Sequence, residues 1–325
     1  MGSLIRSNHH RVHFVIKDRY IRFVESGKNN SFLSYGQKCL PEGVIVEGQI
    51  KQKEIFAMIL DEIVDEYNLK GSKITFCVPD SFVVIRKVLV PFEVVEDELK
   101  GYLYMQLGDT LHLPFEDPIF EAIDIGKKSG QREILLIATK ESIIHEFTDL
   151  FKECSLKPVV ADLSILSLYR LYYNLGQSEV DEHALIVQIG IDTIQLSVFN
   201  NHRPEFVRLT KLPVNESQIE SFKARSGQEY FIWKDEENGL DSLARDTINE
   251  LERFMTFYKF NLTKGRNEIT KLVLTGDHPG MEYLEKRIVG SFDVPIQSLL
   301  KPLFQTKKGN NIPPVFTDCI GLALK

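Results

Sequence analysis

The sequence predicts a two-lobed α/β protein whose first lobe carries an inserted α+β unit. Three observations carry that expectation. At 325 residues the chain is long for a single core. Residues 73–158 read strand, strand, helix, strand, strand, helix, which makes a small unit with its own apolar set. Residues 184–199, ALIVQIGIDTIQLSVF, read as strand, glycine turn, strand, a second hairpin after the one that opens the chain.

The elements follow in order. Residues 12–16 and 20–25 are short strands around Lys17-Asp18-Arg19, with strand-like runs at 31–35 and 44–47. Residues 52–67 form an amphipathic helix, with Ile55, Ile59, Ile63 and Tyr67 at steps of four, and Gly71 closes the turn after it. Then come strands at 73–78 and 82–90, divided by Pro79-Asp80. A helix follows at 93–107, with Leu99, Leu103 and Leu107 in register. His112-Leu113-Pro114-Phe115 reads as a loop, and strands at 119–125 and 133–138 are joined by a turn at 127–130. A helix at 141–154 carries Ile143, Ile144, Phe147, Leu150 and Phe151. A helix at 162–173 starts where Asp162 can cap it, and the polar stretch 176–183 links the lobes. After the second hairpin, 205–209 adds a strand, 217–225 reads as helical, and 227–239 as irregular. Residues 243–262 make a long helix, 270–274 a buried strand, and 281–288 and 316–325 helices.

Composition narrows the function classes. Hydrophobic residues at 43% and charged residues at 26% are ordinary globular values. A net charge of −7 argues against a nucleic-acid partner, and the cluster His9, His10, Arg11, His13 is too short to reverse that. Cys39, Cys77, Cys154 and Cys319 have no metal-clip spacing, so reduced thiols are expected. Residues 1–10 lack the apolar core of a signal peptide, and Arg6 stands where a myristoylation pattern needs Ser or Thr. No segment approaches 18 apolar residues. The expected location is cytoplasmic, at the inner face of the cell membrane, with the membrane reached only through a partner.

Several passages carry a family resemblance. ITFCVPDSFVVIRKVLVPF (74–92), ELKGYLYMQLGDTLHLPFED (98–117) and REILLIATKESIIHEFTDLFKECSLKPVVAD (132–162) lie in or beside the inserted unit, and LVLTGD (272–277) and IGLALK (320–325) lie near the end. In order and spacing they resemble the actin/Hsp70-like two-lobed ATPase fold, in its FtsA-like branch. Within that branch they are most similar to the PilM family of type IV pilus assembly proteins. The resemblance implies a first-lobe core of 1–72 and 159–183 with the terminal helix 314–325. It implies an inserted FtsA-like α+β subdomain at 73–158 and a second lobe at 184–313, of which 213–268 is the smaller subdomain. It also implies a scaffold that grips the cytoplasmic tail of a PilN-like single-pass membrane protein, in a groove between the first-lobe core and the inserted unit. Other pilus assembly proteins and self-association are further implied partners. The last helix reads as part of the fold, which predicts attachment through a protein rather than through a trailing amphipathic helix.

In this fold a strand–turn–strand hairpin presents a phosphate loop, because a turn glycine lets backbone N–H groups approach an anion. A carboxylate two residues earlier helps hold hydrated Mg²⁺. Here that residue is Gln188. The first loop carries Val15 and Lys17 where the family has Asp and Gly, and the adenosine loop reads Gly276-Asp277 in place of a glycine pair. Candidate nucleotide contacts are Gly190, Asp192, Thr193 and Gly276. The plainer reading makes the glycines ordinary turn residues, Asp192-Thr193 a solvated Asx turn, and Asp18 an exposed hairpin tip. Lys17 either attracts phosphate or fills the loop. The histidines have no metal spacing, Asp246, Glu250 and Glu252 suit a charged helix surface beside Arg245 and Arg253, and Phe14, Phe23 and Phe32 read as core. Three altered loops predict weak or no hydrolysis and no resident cofactor. The alternative is an ATPase binding ATP and Mg²⁺ in the same machinery, or more remotely a sugar-kinase relative.

Overall fold

Each lobe grows from an antiparallel hairpin that a parallel strand then joins. The computed structural model describes residues 10–325 apart from positions 215, 226, 235 and 236, so the readings of residues 1–9 lie outside it. In the first lobe, β1 (Arg11–Lys17) and β2 (Tyr20–Ser26) pair antiparallel, and β3 (Phe32–Cys39) extends them. A short pair, β4 (Ile45–Val46) and β5 (Gln49–Ile50), leads into α1 (Lys53–Glu66). That helix is the crossover that lets β6 (Lys73–Val78) return parallel to β1.

The chain then leaves the first lobe to build a three-stranded sheet. It comprises β7 (Val84–Val90), β8 (Pro118–Lys128) and β9 (Gln131–Lys140) in the order β7-β9-β8, with α2 (Leu99–Met105) on one face. Leu99 and Leu103 of α2 bury against Phe120, Ile134 and Leu136. The helix expected at 93–107 is shorter, with a 3-10 turn at Glu96–Glu98 before it. β-Branched Val94-Val95 and an internal Gly101 leave too little helix propensity for the longer run.

The chain next returns to the first lobe through α3 (Glu141–Glu153), β10 (Lys157–Leu163) and α4 (Ser164–Asn174). The first sheet has the order β10-β6-β1-β2-β3. This corrects the boundary 73–158. β6 is a central strand of the first sheet, and α3 packs Phe147 and Phe151 against Phe14 and Phe76 on it. β6 is buried on both faces, and such a strand reads the same in either sheet until its hydrogen-bond partners are known. β10, whose first five residues carry no expected element and whose last two are expected to open the helix at 162–173, pairs parallel with β6. Asp162 therefore does not cap α4. Its carboxylate accepts the N–H of Leu163 at 2.8 Å and pairs with Arg170 at 2.9 Å and Lys325 at 3.1 Å.

The second lobe repeats the plan. β11 (Ala184–Ile189), β12 (Thr193–Asn200) and β13 (Arg203–Lys211) form a meander. A separate hairpin follows, β14 (Ile219–Lys223) and β15 (Glu229–Trp233). The helix expected at 217–225 and the irregular stretch at 227–239 are corrected here. Ile219 to Lys223 pairs residue by residue with Glu229 to Trp233, and Gly227 at φ +85° lies in the connecting turn. Then come α5 (Glu237–Phe257), β16 (Lys271–Gly276) parallel to β11, α6 (Met281–Val289), β17 (Ile296–Ser298) and α7 (Thr317–Ala323), giving the order β13-β12-β11-β16-β17. Helices α5 and α6 cover one face of this sheet. Its other face shares a core with the first sheet through α4 and α7.

The α4–α7 crossing is close because Gly321 has no side chain. A Cβ there would lie 2.1 Å from the carbonyl oxygen of Ser167, and Ser167 Oγ donates to the carbonyl of Asp318 at 2.5 Å. Gly321→Ala is expected to cost about 3 kcal/mol of stability, since backbone must move to admit the methyl. Gly101→Ala in α2, where a Cβ meets nothing within 4 Å, is expected to raise stability by up to about 1 kcal/mol. Urea midpoints of the two variants check both signs.

Candidate functional site

The two hairpin turns point at one another across a cleft of about 410 Å³. Its walls are the β1–β2 turn (16–20), the segment around β4–β5 (42–48), the turn after β6 (79–81), the β11–β12 turn (190–193), Lys211 of β13, and Asp277 after β16. Gly190, Asp192 and Thr193 line it. Gly190 N donates to Thr193 O at 2.7 Å, so that N–H closes the turn itself. Burial pushes the Asp192 carboxyl up from its ordinary range. Gly276 faces elsewhere. At φ +149° a Cβ would lie 2.1 Å from the carbonyl oxygen of Ile189, which takes the N–H groups of Asp277 at 2.9 Å and His278 at 3.3 Å. The glycine there permits close approach between the ends of β16 and β11.

A polar network fills the cleft floor. Lys17 Nζ, at the end of β1, donates to Asp80 Oδ2 at 2.8 Å and to Gln188 Oε1 at 3.4 Å. Gln188 Nε2 in turn donates to Asp318 Oδ2 at 2.6 Å. Asp318 lies in the first turn of α7, where the helix dipole favours negative charge. Ser164, which opens α4, donates to Asp80 and contacts Gln195 of β12 at 3.2 Å. Burial is the largest influence on Lys17 and opposes its charge. Asp80, Asp318 and Asp277 together outweigh that and hold the ammonium above the ordinary lysine range. Burial likewise pushes the Asp318 carboxyl up, against the pull of Lys17.

Arg22 of β2 forms the second crossing. Its guanidinium pairs with Asp277 and with Gln37, donates to the carbonyl of Val315 at 3.0 Å, and lies 3.6 Å from the Tyr20 ring centroid. Both members of the Arg22–Asp277 pair are 5% exposed at the side chain. At the cleft, Lys211 pairs with Glu47 at 2.7 Å; beside a separate pocket, Glu229 of β15 accepts Cys39 N at 2.8 Å through its carboxylate and Gln37 Nε2 at 2.8 Å through its carbonyl.

The altered positions thus have specific surroundings. Val15 is buried in β1 opposite Arg22. Asp18 is no free hairpin tip, because it accepts the N–H groups of Glu47 at 2.7 Å and Gly48 at 2.9 Å. Asp277 is charge-paired rather than projecting. The histidines serve locally, His183 with Tyr258 at 2.6 Å and His202 with Tyr169 at 2.8 Å, and among the described residues no group of three or more His, Cys, Asp and Glu is placed to hold a metal. Asp80, Arg22, Ser164 and Asp318 escaped the sequence reading as site residues. Asp318 carried a signal: a carboxylate inside the run Phe316 to Leu322 must be buried with the helix and so requires a partner.

Two sheets of like topology, two helices shared between them and a cleft at the facing hairpin turns define an actin-like ATPase fold. The model of the family described as type IV pilus assembly protein PilM matches residues 18–313, and the chain belongs to that family. The structure is similar to that of a PilM-PilN type IV pilus biogenesis complex, with a TM-score of 0.75 and 18% identity over 97% of each chain. Ethanolamine utilization protein EutJ from Carboxydothermus hydrogenoformans is similar at TM-score 0.54 and 11% identity, over 97% of this chain and 89% of that one. The cytoplasmic domain of EpsL, an inner membrane component of the type II secretion system of Vibrio cholerae, is similar at 0.50 and 12%, over 97% and 94%. At these identities the likeness is one of fold. No curated protein matches the chain.

Proposed function

We propose that this chain is a cytoplasmic scaffold of a type IV pilus or pseudopilus machinery that binds the cytoplasmic tail of a PilN-like inner-membrane protein and does not turn over ATP. Membership of the PilM family and the match across 97% of both chains to a PilM-PilN complex support the partner. None of the described helices is long and apolar enough to cross a membrane, in keeping with a membrane reached through that partner. The inserted unit leaves Leu89, Phe92, Val95, Met105 and Ile119 exposed, apolar surface suited to an extended or partly apolar segment.

The observation that carries the catalytic half is the ammonium of Lys17, 2.8 Å from Asp80. Gln188 stands where a Mg²⁺-ordering carboxylate would be needed, and its amide is committed to Lys17 and Asp318. The N–H of Gly190 is used inside its own turn. Those residues do not fit Mg·ATP, and the scaffold reading assigns them a structural part.

Calorimetric titration tests both halves. Mg·ATP is expected to give no saturable heat and no hydrolysis. A synthetic peptide of the cytoplasmic tail of a PilN-like protein from the same organism is expected to give a saturable isotherm. Tight Mg·ATP binding with turnover would instead establish the ATPase alternative.

A further inference from the structure

Building on the reading of the cleft as a degenerate nucleotide site, we propose that Lys17 is a tethered internal cation. Its ammonium offsets the carboxylate of Asp80 directly and that of Asp318 through Gln188, and so helps hold the two lobes together without any ligand.

The geometry supports this in three ways. First, the cleft floor gathers three carboxylates, and Arg22 is paired with only one of them, Asp277. Lys17 supplies the remaining positive charge, in direct contact with Asp80 and through Gln188 with Asp318. Second, the network spans the lobes. Gln188 and Gln195 belong to the second sheet, whereas Lys17, Asp80, Ser164 and Asp318 belong to strands, turns and helices of the first lobe. Third, the ammonium side chain is four-fifths buried and that of Asp80 more so, with exposures of 21% and 7%. Charges so placed are stable only while compensated, so losing one leaves its partners buried and unpaired. A free cation bound between lobes would be lost on dilution. A lysine side chain is not, and that makes the closed arrangement a property of the sequence.

The test creates a vacancy for a cation. In Lys17→Ala the carboxylates lose their counter-charge, and the midpoint of thermal unfolding is expected to fall by at least about 5 °C. Millimolar Mg²⁺ or methylammonium is then expected to restore at least half of the loss, compared with choline chloride at equal ionic strength, because a ligand that binds only the folded state stabilises it. The wild type is expected not to respond to either cation, since Lys17 already occupies the place. Lys17→Met/Asp80→Asn, which removes both charges, is expected to melt above Lys17→Met and to be indifferent to cations.

The inference is overturned if Lys17→Ala melts with the wild type, if its deficit is untouched by both cations, or if the wild type itself gains stability from Mg²⁺. Where Lys17→Ala does not accumulate folded, Lys17→Met carries the same two measurements, because its stem keeps the packing while the charge is lost. Tight Mg·ATP binding by the wild type would remove the degenerate-site reading as well. Absence of ATP binding together with a cation-indifferent Lys17→Ala would remove this inference alone.

Discussion

Arg22→Met is expected to destabilise the protein by about 3–5 kcal/mol, as breaking one side of a buried ion pair does. The substitution keeps an unbranched apolar stem, so packing over Tyr20 is largely retained while the charge is lost. What remains is a buried Asp277 carboxylate, together with Gln37 Oε1 and the carbonyl of Val315 lacking the donors that Arg22 provides. Arg22→Met/Asp277→Asn removes the uncompensated charge and is expected to recover most of the loss. Urea unfolding monitored by the fluorescence of Trp233, the only tryptophan, is well placed to see it. Trp233 ends β15, and β15 meets β3 through Glu229 and Gln37, the latter a partner of Arg22. A loss below about 1 kcal/mol would mean that Arg22 and Asp277 are better hydrated than their burial implies.

Acid is expected to act through two histidines. Burial, helped by Arg11, pushes His13 down to about 3, and burial pushes His278 down to about 4, against 6.5 for an ordinary histidine. His13 bonds Thr75 Oγ1 at 2.7 Å and Ser26 Oγ at 2.8 Å, and His278 Nδ1 accepts Gly280 N at 3.0 Å while its Nε2 is buried without a partner. A group whose folded pKa is depressed contributes stability above its unfolded pKa and loses it as pH falls. The window here runs from 6.5 down to about 3 for His13 and about 4 for His278. At about pH 4.5 each shift corresponds to roughly 2.5 kcal/mol, about 5 kcal/mol together relative to neutral pH. Asp192 and Asp318, whose carboxyls burial raises, work in the opposite sense, because their folded forms hold protons more tightly as pH falls toward 3.8. The observed slope is therefore expected to be shallower than the histidines alone would produce. His13→Gln, which preserves a donor and an acceptor between the two hydroxyls, is expected to remove about half of the histidine contribution. An unchanged slope in His13→Gln/His278→Asn would assign the acid response to other groups.

The division between the readable and the unreadable follows the range of the interactions. Periodicity located both opening hairpins, the helices α1, α3, α5 and α6, and β16, because spacing within an element records which face is buried. It failed where the partner decides. KPVVADL became a strand because β6 offers it a hydrogen-bonding edge, and residues 219–223 became a strand because 229–233 lie opposite. Local propensity has no term for either. By the same logic β6 looked like part of the inserted unit until its pairing with β1 placed it at the centre of the first sheet.

At the site, the sequence by itself determined three things: that the two hairpins carry Val15, Lys17 and Gln188, that Gly190 turns the chain, and that the order of elements is that of the PilM family. Only the tertiary structure decided what Lys17 and Asp277 do. Their partners, Asp80 and Arg22, are 63 and 255 residues away in the chain, and charge pairing at such separations is set by how sheets and helices pack. A lysine beside a glycine-turn cleft is consistent with binding a phosphate or with replacing a cation. Asp80 already pairs with the ammonium at 2.8 Å, and that contact is what supports the second reading proposed above.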